Sequence, residues 1–252
     1  MTSSDKATPP IPEGYLTGEY LAYQERYAKT LRDSDRQLID VIDNCLSSLN
    51  LSKPARLMDV GTSTGNLLLH LRDRFPSLQI SGSDVFQEVI ERCQSNPALN
   101  EFEFEVINVL NAPVRPIYDI VVFNAVTHFF SEADLQTAFR NLAGLLKPSG
   151  WLVGFGLLNP FEQTLLIHEI SAAHPEGAVV NIHNIPKARN FLQMAGFESA
   201  VFRPFEISID LDHPSSMQDL KSYTRTADDG RRMNFRGSLF QPWHHFWAQK
   251  RP

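Results

Sequence analysis

Two carboxylates and a run of small residues carry the clearest chemical signal in this chain. Asp59 closes the short apolar run Leu57-Met58-Asp59-Val60, and Asp84 closes a second run, residues 78–83. Between them, Gly61-Thr62-Ser63-Thr64-Gly65 supplies the small side chains of a sharp turn, and residues 66–71 supply the apolar run of a helix. A strand feeding a glycine-bearing turn and a helix N-terminus is expected to leave backbone N–H groups directed into a crevice, ready for a polar ligand. A carboxylate at the tip of the next strand accepts two hydrogen bonds side by side, which suits the paired hydroxyls of a ribose. Asp84 is equally suited to cap the helix expected over 86–93, and the two roles are compatible. Val85 and Phe86 follow it and are placed to flank a base. His128 lies just past another apolar run, on the side where open α/β sheets bind ligands, and is the candidate general base. The competing role for His128 is to order the loop it starts.

These residues need a scaffold, and the apolar periodicity describes one. Tyr20, Tyr23 and Tyr27 recur at spacings of three and four, the mark of one helix face, followed by a second helix with Ser34 as its expected N-cap. Residues 102–107 alternate apolar with acidic residues, as an edge strand does, and 118–123 are almost continuously apolar, as a central strand covered on both faces is. Ser131 is the expected cap of a helix reaching Leu146, stopped by Lys147-Pro148-Ser149-Gly150, with a strand over 151–155. A helix over 186–195 closes on Gly196, where a left-handed conformation is expected, and leads to a strand over 197–202. Segments 222–226 and 232–236 flank a glycine-bearing turn and read as a hairpin within an insertion, about 206–241, before the last strand at 243–248. Period-2 alternation places one of His244 and His245 inward and the other outward. The expected organisation is therefore 1–50 as a tail with lid helices and 51–252 as one ligand-binding domain.

The gross composition narrows the function classes. A chain of 252 residues with net charge −6 and no basic stripe gives no nucleic-acid footprint. Its two cysteines, Cys45 and Cys93, are far apart, and His168, Glu169 and His174 are too widely spaced for a zinc helix, so no metal is expected. No apolar leader or membrane-spanning run is present, so a soluble, cytoplasmic protein is the default expectation.

At Asp59-x-Gly61-x-Ser63-x-Gly65 the sequence resembles the first motif of class I S-adenosylmethionine (SAM)-dependent methyltransferases, whose usual form carries glycine where Ser63 stands. Residues 145–154 (LLKPSGWLVG) and 191–197 (FLQMAGF) resemble the same family at its later helix–turn–strand units. The resemblance implies a Rossmann-like α/β fold: a seven-stranded, mostly parallel sheet with its last strand antiparallel, and helices on both faces. It also implies an N-terminal helical lid, with the hairpin insertion lying outside the shared core. SAM is the implied cofactor, with S-adenosylhomocysteine (SAH) as product. The implied binding residues are Asp59, Gly61, Thr62, Ser63, Gly65, Asp84, Val85, Asn108, Val109, Leu110, Asn124 and Ala125. Asn108 stands where the family often has an Asp that holds the adenine amino group, and Asn124 and Ala125 stand near the methionine part of the cofactor.

The acceptor site has no such signature, because methyl transfer from a sulfonium depends mainly on alignment. Tyr20, Tyr23 and Tyr27 as a lid, Asn159, Phe161 and His168 after the fifth strand, and Trp243 are the candidate substrate contacts, and a small, partly apolar acceptor is expected. A nicotinamide-dependent dehydrogenase would want Gly-x-Gly-x-x-Gly, which is absent. The alternatives within SAM users are a non-methylating enzyme, such as a cyclase of the aminobutyrate arm, and a silent SAM-binding or interaction protein. Either a monomer or a homodimer joined through the 222–236 hairpin fits.

Overall fold

The computed structural model describes residues 30–171, 174–216 and 220–252. Helix α1 (Asp33–Ser48) precedes strand β1 (Arg56–Val60), helix α2 (Asn66–Arg74), strand β2 (Gln79–Asp84), helix α3 (Gln87–Ser95) and strand β3 (Glu103–Val106). Strand β4 (Tyr118–Asn124), helix α4 (Glu132–Leu145) and strand β5 (Leu146–Asn159) continue the alternation. Then come strands β6 (Leu165–Glu169) and β7 (Ala178–Asn184), helix α5 (Ile185–Met194) and strand β8 (Phe197–Pro204). Strands β9 (Ser222–Thr226), β10 (Arg232–Arg236) and β11 (Leu239–Phe240) precede the last strand, β12 (Trp243–Lys250).

The principal sheet runs β3-β2-β1-β4-β5-β12-β8, as the Rossmann-like reading requires. Strands β1 to β5 pair in parallel, and β12 lies antiparallel between β5 and β8. The apolar run of β4 divides between two cores, which is why it is continuous. Ile120 and Val122 face α1 and its Leu38, Ile39 and Ile42, while Val121 and Phe123 face α4 and its Leu135, Phe139 and Leu142. Each such fully buried side chain contributes about 1.5–3 kcal/mol relative to exposure, so the strand tips are held by both layers. Helix α4 starts where expected, Ser131 Oγ accepting from Asp134 N at 3.2 Å. Gly196 adopts the expected left-handed φ of +94°.

Four expectations are corrected. Arg32, not Ser34, occupies the N-cap of α1, and no side chain caps it. The 147–150 segment is no break: Ser149 takes a φ of +61° and β5 is continuous from Leu146 to Asn159. Two further strands, β6 and β7, form a hairpin joined to the far end of β5, making the sheet nine-stranded. His244 and His245 are both buried, since β12 has helices over both of its faces rather than solvent on one. The hairpin at 222–236 forms as expected and belongs to a separate three-stranded sheet, β11-β10-β9. The tyrosines at 20, 23 and 27 lie outside the described residues.

Candidate active site

The turn between β1 and α2 is strained in a regular way. Gly61, Ser63 and Gly65 have φ of +83°, +52° and +74°, so every second residue is in the left-handed region. A Cβ on Gly61 would lie 2.7 Å from Val126 Cγ2, and one on Gly65 would lie 2.7 Å from Leu99 Cδ1. Glycine is thus needed at both positions, for φ and for close approach. Ser63 adopts a conformation that costs an L-residue about 1–2 kcal/mol, and is held there because its N–H donates to Asp84 Oδ2 at 3.1 Å.

The turn's amides do not point into the crevice as expected. The N–H groups of Gly61 and Thr62 both donate to Ser83 O at 2.8 Å, Ser63 donates to Asp84, and Gly65 donates to Thr62 O at 3.0 Å. These donors are consumed in tying β1 to β2. The turn therefore makes a poor nest for a phosphate, and the polar groups left to meet a ligand are mainly acceptors.

Acids dominate what remains. Asp84 Oδ1 accepts from Phe86 N at 3.3 Å, so Asp84 secures the entry to α3 while lining the crevice. A carboxylate has about four acceptor positions, and these two bonds leave room for a diol. Burial raises its pKa, against the pull of the Phe86 and Ser63 amides. Asp59 is 2% exposed, and its Oδ1 lacks a hydrogen-bonding partner among the described residues, as does Thr62 Oγ1 beside it. Burial, opposed by the neighbouring Thr62 hydroxyl and reinforced by the charges of Asp35 and Asp84, pushes Asp59 up to about 7.

A pocket opens at the carboxyl ends of β1, β2 and β4. Gly61, Asp84, Val85, Asn108 and Val109, all singled out in the sequence, line it, together with Val60, Ile107, Phe123, Val126, Phe129 and Phe130, which were not. Phe129 and Phe130 belong to the single turn after β4 and its C-cap. The Asn108 oxygen accepts from Leu110 N at 2.9 Å, capping a short turn, so the group expected to meet an adenine already has one partner. Ala125 has a φ of +55°, and its N–H donates to Phe155 O at 2.7 Å, which turns the chain sharply at the tip of β4. Asn124 Nδ2 donates to Asp35 Oδ1 at 3.2 Å, bringing α1 into the site.

The proposed acceptor residues separate. His128 and Trp243 meet edge to face, with ring centroids 5.8 Å apart, and Trp243 stacks on Phe155 at 4.8 Å. Burial, with His183 nearby, lowers His128 to about 4, and its Nδ1 has no partner among the described residues. Asn159 instead spends its amide on its own loop, donating to Gln163 O and accepting from Phe161 N. His168 sits exposed on the outer face of β6, and Phe161 is 70% exposed, so neither joins His128 and Trp243. His183 on β7, read in sequence equally as a loop residue or a ligand, is buried, with Nε2 3.1 Å from Thr127 O.

Such a sheet, with an acid-lined crevice at its strand tips, defines a class I SAM-dependent enzyme. SAM fits the groups present: an acceptor pair at Asp84 for the ribose diol and an apolar pocket for the base. Residues 27–200 match the family model described as a methyltransferase domain, and the chain belongs to that family, whose cofactor is SAM. It is 28% identical over 179 residues to a malonyl-[acyl-carrier protein] O-methyltransferase of Geobacter sulfurreducens, covering 67% of this chain and 66% of that relative. It is 29% identical over 128 residues to the protein of the same name from Acetivibrio thermocellus, covering 51% and 43%. The chain thus spans less than two thirds of either relative. The fold is similar to that of a Burkholderia thailandensis 1,6-didemethyltoxoflavin-N1-methyltransferase solved with bound 1,6-didemethyltoxoflavin and SAH. That likeness has a TM-score of 0.57 at 14% identity, covering 100% of this chain and 94% of that one.

Proposed function

We propose that this chain transfers a methyl group to a small-molecule acceptor by direct displacement, and the observation that carries the reading is the acid-tipped crevice at β1 and β2. When bound, SAM supplies a methyl group already activated by the sulfonium charge. Asp84 holds the ribose diol, and Gly61 lets the turn approach without a side chain between. The walls formed by Val85, Val109 and Phe130 exclude water from the nucleoside. Alignment is the main service such a site renders, and well-oriented reactants gain up to about 7–11 kcal/mol.

On the other side of the β4 tip, Trp243, Phe155 and His128 offer ring faces and edges to a modest, partly apolar acceptor. The relatives, by their names, methylate malonyl-[acyl-carrier protein] and 1,6-didemethyltoxoflavin. His128 is neutral at physiological pH, so Nδ1 is free to take a proton, but with a pKa near 4 it holds that proton only briefly. That suits an acceptor whose proton leaves as the new bond forms.

Mass spectrometry of the purified protein should find SAM or SAH carried through purification, and incubation with labelled SAM and a metabolite extract should yield a product heavier by one methyl. Absence of both would overturn the reading. His128→Asn should lower turnover about 10²–10⁴-fold, the usual worth of a positioned base, with SAH affinity nearly intact. Unchanged rates across the pH range would leave His128 a loop-ordering residue.

A further inference from the structure

Two polar side chains are buried in β7 at positions where a strand packed on a core ordinarily carries apolar ones. Asn181 is 6% exposed and His183 is 2% exposed; they stand two residues apart on one face of the strand, with Ile182 on the other. Burying such groups is costly unless each finds a hydrogen bond. Both find one in the same place, the single turn Thr127–Phe129 after β4. His183 Nε2 donates to Thr127 O at 3.1 Å, and Asn181 Nδ2 donates to His128 O at 3.2 Å. The match has a backbone cause: a helical turn points successive carbonyls the same way and leaves its last ones short of backbone donors.

Strand β7 is itself held on three sides. It pairs in parallel with the far end of β5, His183 standing opposite Leu158 and Asn184 opposite Asn159. It pairs antiparallel with β6, and Asn184 caps α5 by accepting from Lys187 N at 2.7 Å. The turn that it grips faces the crevice on its other side. Phe129 and Phe130 line the pocket there, and Phe130 lies against Phe123 with ring centroids 5.9 Å apart. Among the described residues, none of β7 lines the pocket itself.

We infer that Asn181 and His183 are positioning residues for the cofactor site, acting through this turn. They hold the Thr127 and His128 carbonyls so that Phe129 and Phe130 stand as a wall of the nucleoside pocket. The hairpin joined to the far end of β5 thereby sets the shape of a site that it does not touch. This inference rests on the reading of the pocket as a SAM site, and its test separates the two.

Calorimetry with SAH on the full chain provides the measurement. His183→Leu keeps the bulk and removes the donor, so that binding must re-order the turn, and SAH should bind about 10-fold more weakly. His183→Gln returns an N–H donor near the Nε2 position and should restore the affinity to within about threefold of the unaltered chain. Ile182→Val, on the opposite face of the same strand, should lower the melting temperature and leave SAH affinity within about twofold. Unchanged SAH affinity in His183→Leu would overturn the inference. So would a loss that His183→Gln fails to relieve or that Ile182→Val matches, since either marks a general loosening. Should His183→Leu fail to fold, Asn181→Ala decides in its place. It removes only the donor to His128 O and should weaken SAH about 3- to 10-fold; unchanged affinity there would refute the brace. If the unaltered chain bound no SAH, the SAM reading would fall and the positioning role with it.

Discussion

Asp59 belongs to a strand that needs it only as a spacer between Met58 and Val60, yet it is an acid with one oxygen unpartnered. Its carboxyl is raised from 3.8 to about 7, chiefly by burial. The folded chain therefore retains a proton between these values that the unfolded chain has lost. A raised acid contributes its full stability below pH 4 and loses it as the pH climbs through 7. Asp59→Asn removes that loss. Its unfolding free energy should equal that of the unaltered chain near pH 4 and exceed it at pH 8, by up to about 4 kcal/mol. An offset independent of pH would mean that Asp59 is ionised and paired in the folded chain. The same residue shows how far the sequence reaches. The acids at 59 and 84 and the glycines at 61 and 65 were legible because their positions are imposed by backbone geometry. What the turn's amides bond to was not, since Ser83 O, their acceptor, is a backbone atom that no side-chain pattern reports.

At the scale of elements, β5 and the turn after β4 fit together through an absent side chain. A Cβ on Gly156 would overlap Thr127 Oγ1, and Thr127 is fully buried and cannot swing away. Gly156→Ala should therefore cost about 1–3 kcal/mol, as overpacking does, and should displace the turn that carries His128 and Phe129. Gly144→Ala is the control: its Cβ would meet Val114 at an ordinary 3.5 Å inside α4, and it should stabilise by about 0.5–1 kcal/mol. Equal melting shifts for the two variants would show that β5 does not press on that turn. Strands β1 and β4 were readable from their apolar runs, and β2 from the acid that closes it one strand–helix–strand unit after Asp59. Strands β6 and β7 were not. Leu165, Leu166 and Ile167 form an unbroken apolar run although only the outer face of β6 is open, with Leu166 and Ile170 over 70% exposed there. Without alternation to mark a strand, His168 and His183 look like pocket or loop residues rather than members of a hairpin.

For the whole molecule, the insertion before β12 poses the question of what is core and what is appendage. Phe205 N donates to Trp243 O at 2.9 Å and Pro204 pairs with His244, so β8 and β12 are already neighbours where the insertion leaves and returns. The three-stranded sheet between them has its own stacking, Tyr223 on Phe235 at 5.6 Å. It is fastened to the rest through Ser208 N donating to Asp33 Oδ2 at 2.7 Å and through an ion pair between Arg236 and Glu169 of β6. The first is exposed and the second half-buried, and one such hydrogen bond or ion pair contributes about 0.2–1.5 kcal/mol. Among the described residues, the two buried cores that sandwich the principal sheet include none from 206–241. Removing residues 208–240 leaves Glu206-Ile207-Gln241-Pro242, a four-residue connection of the length hairpins use. That shortened chain should unfold cooperatively and bind SAH within a few-fold of the full chain, while turnover falls if the small sheet helps enclose the acceptor. Calorimetric melting decides the first point: a broad, non-cooperative transition would mean that the insertion is part of the fold and not an appendage to it.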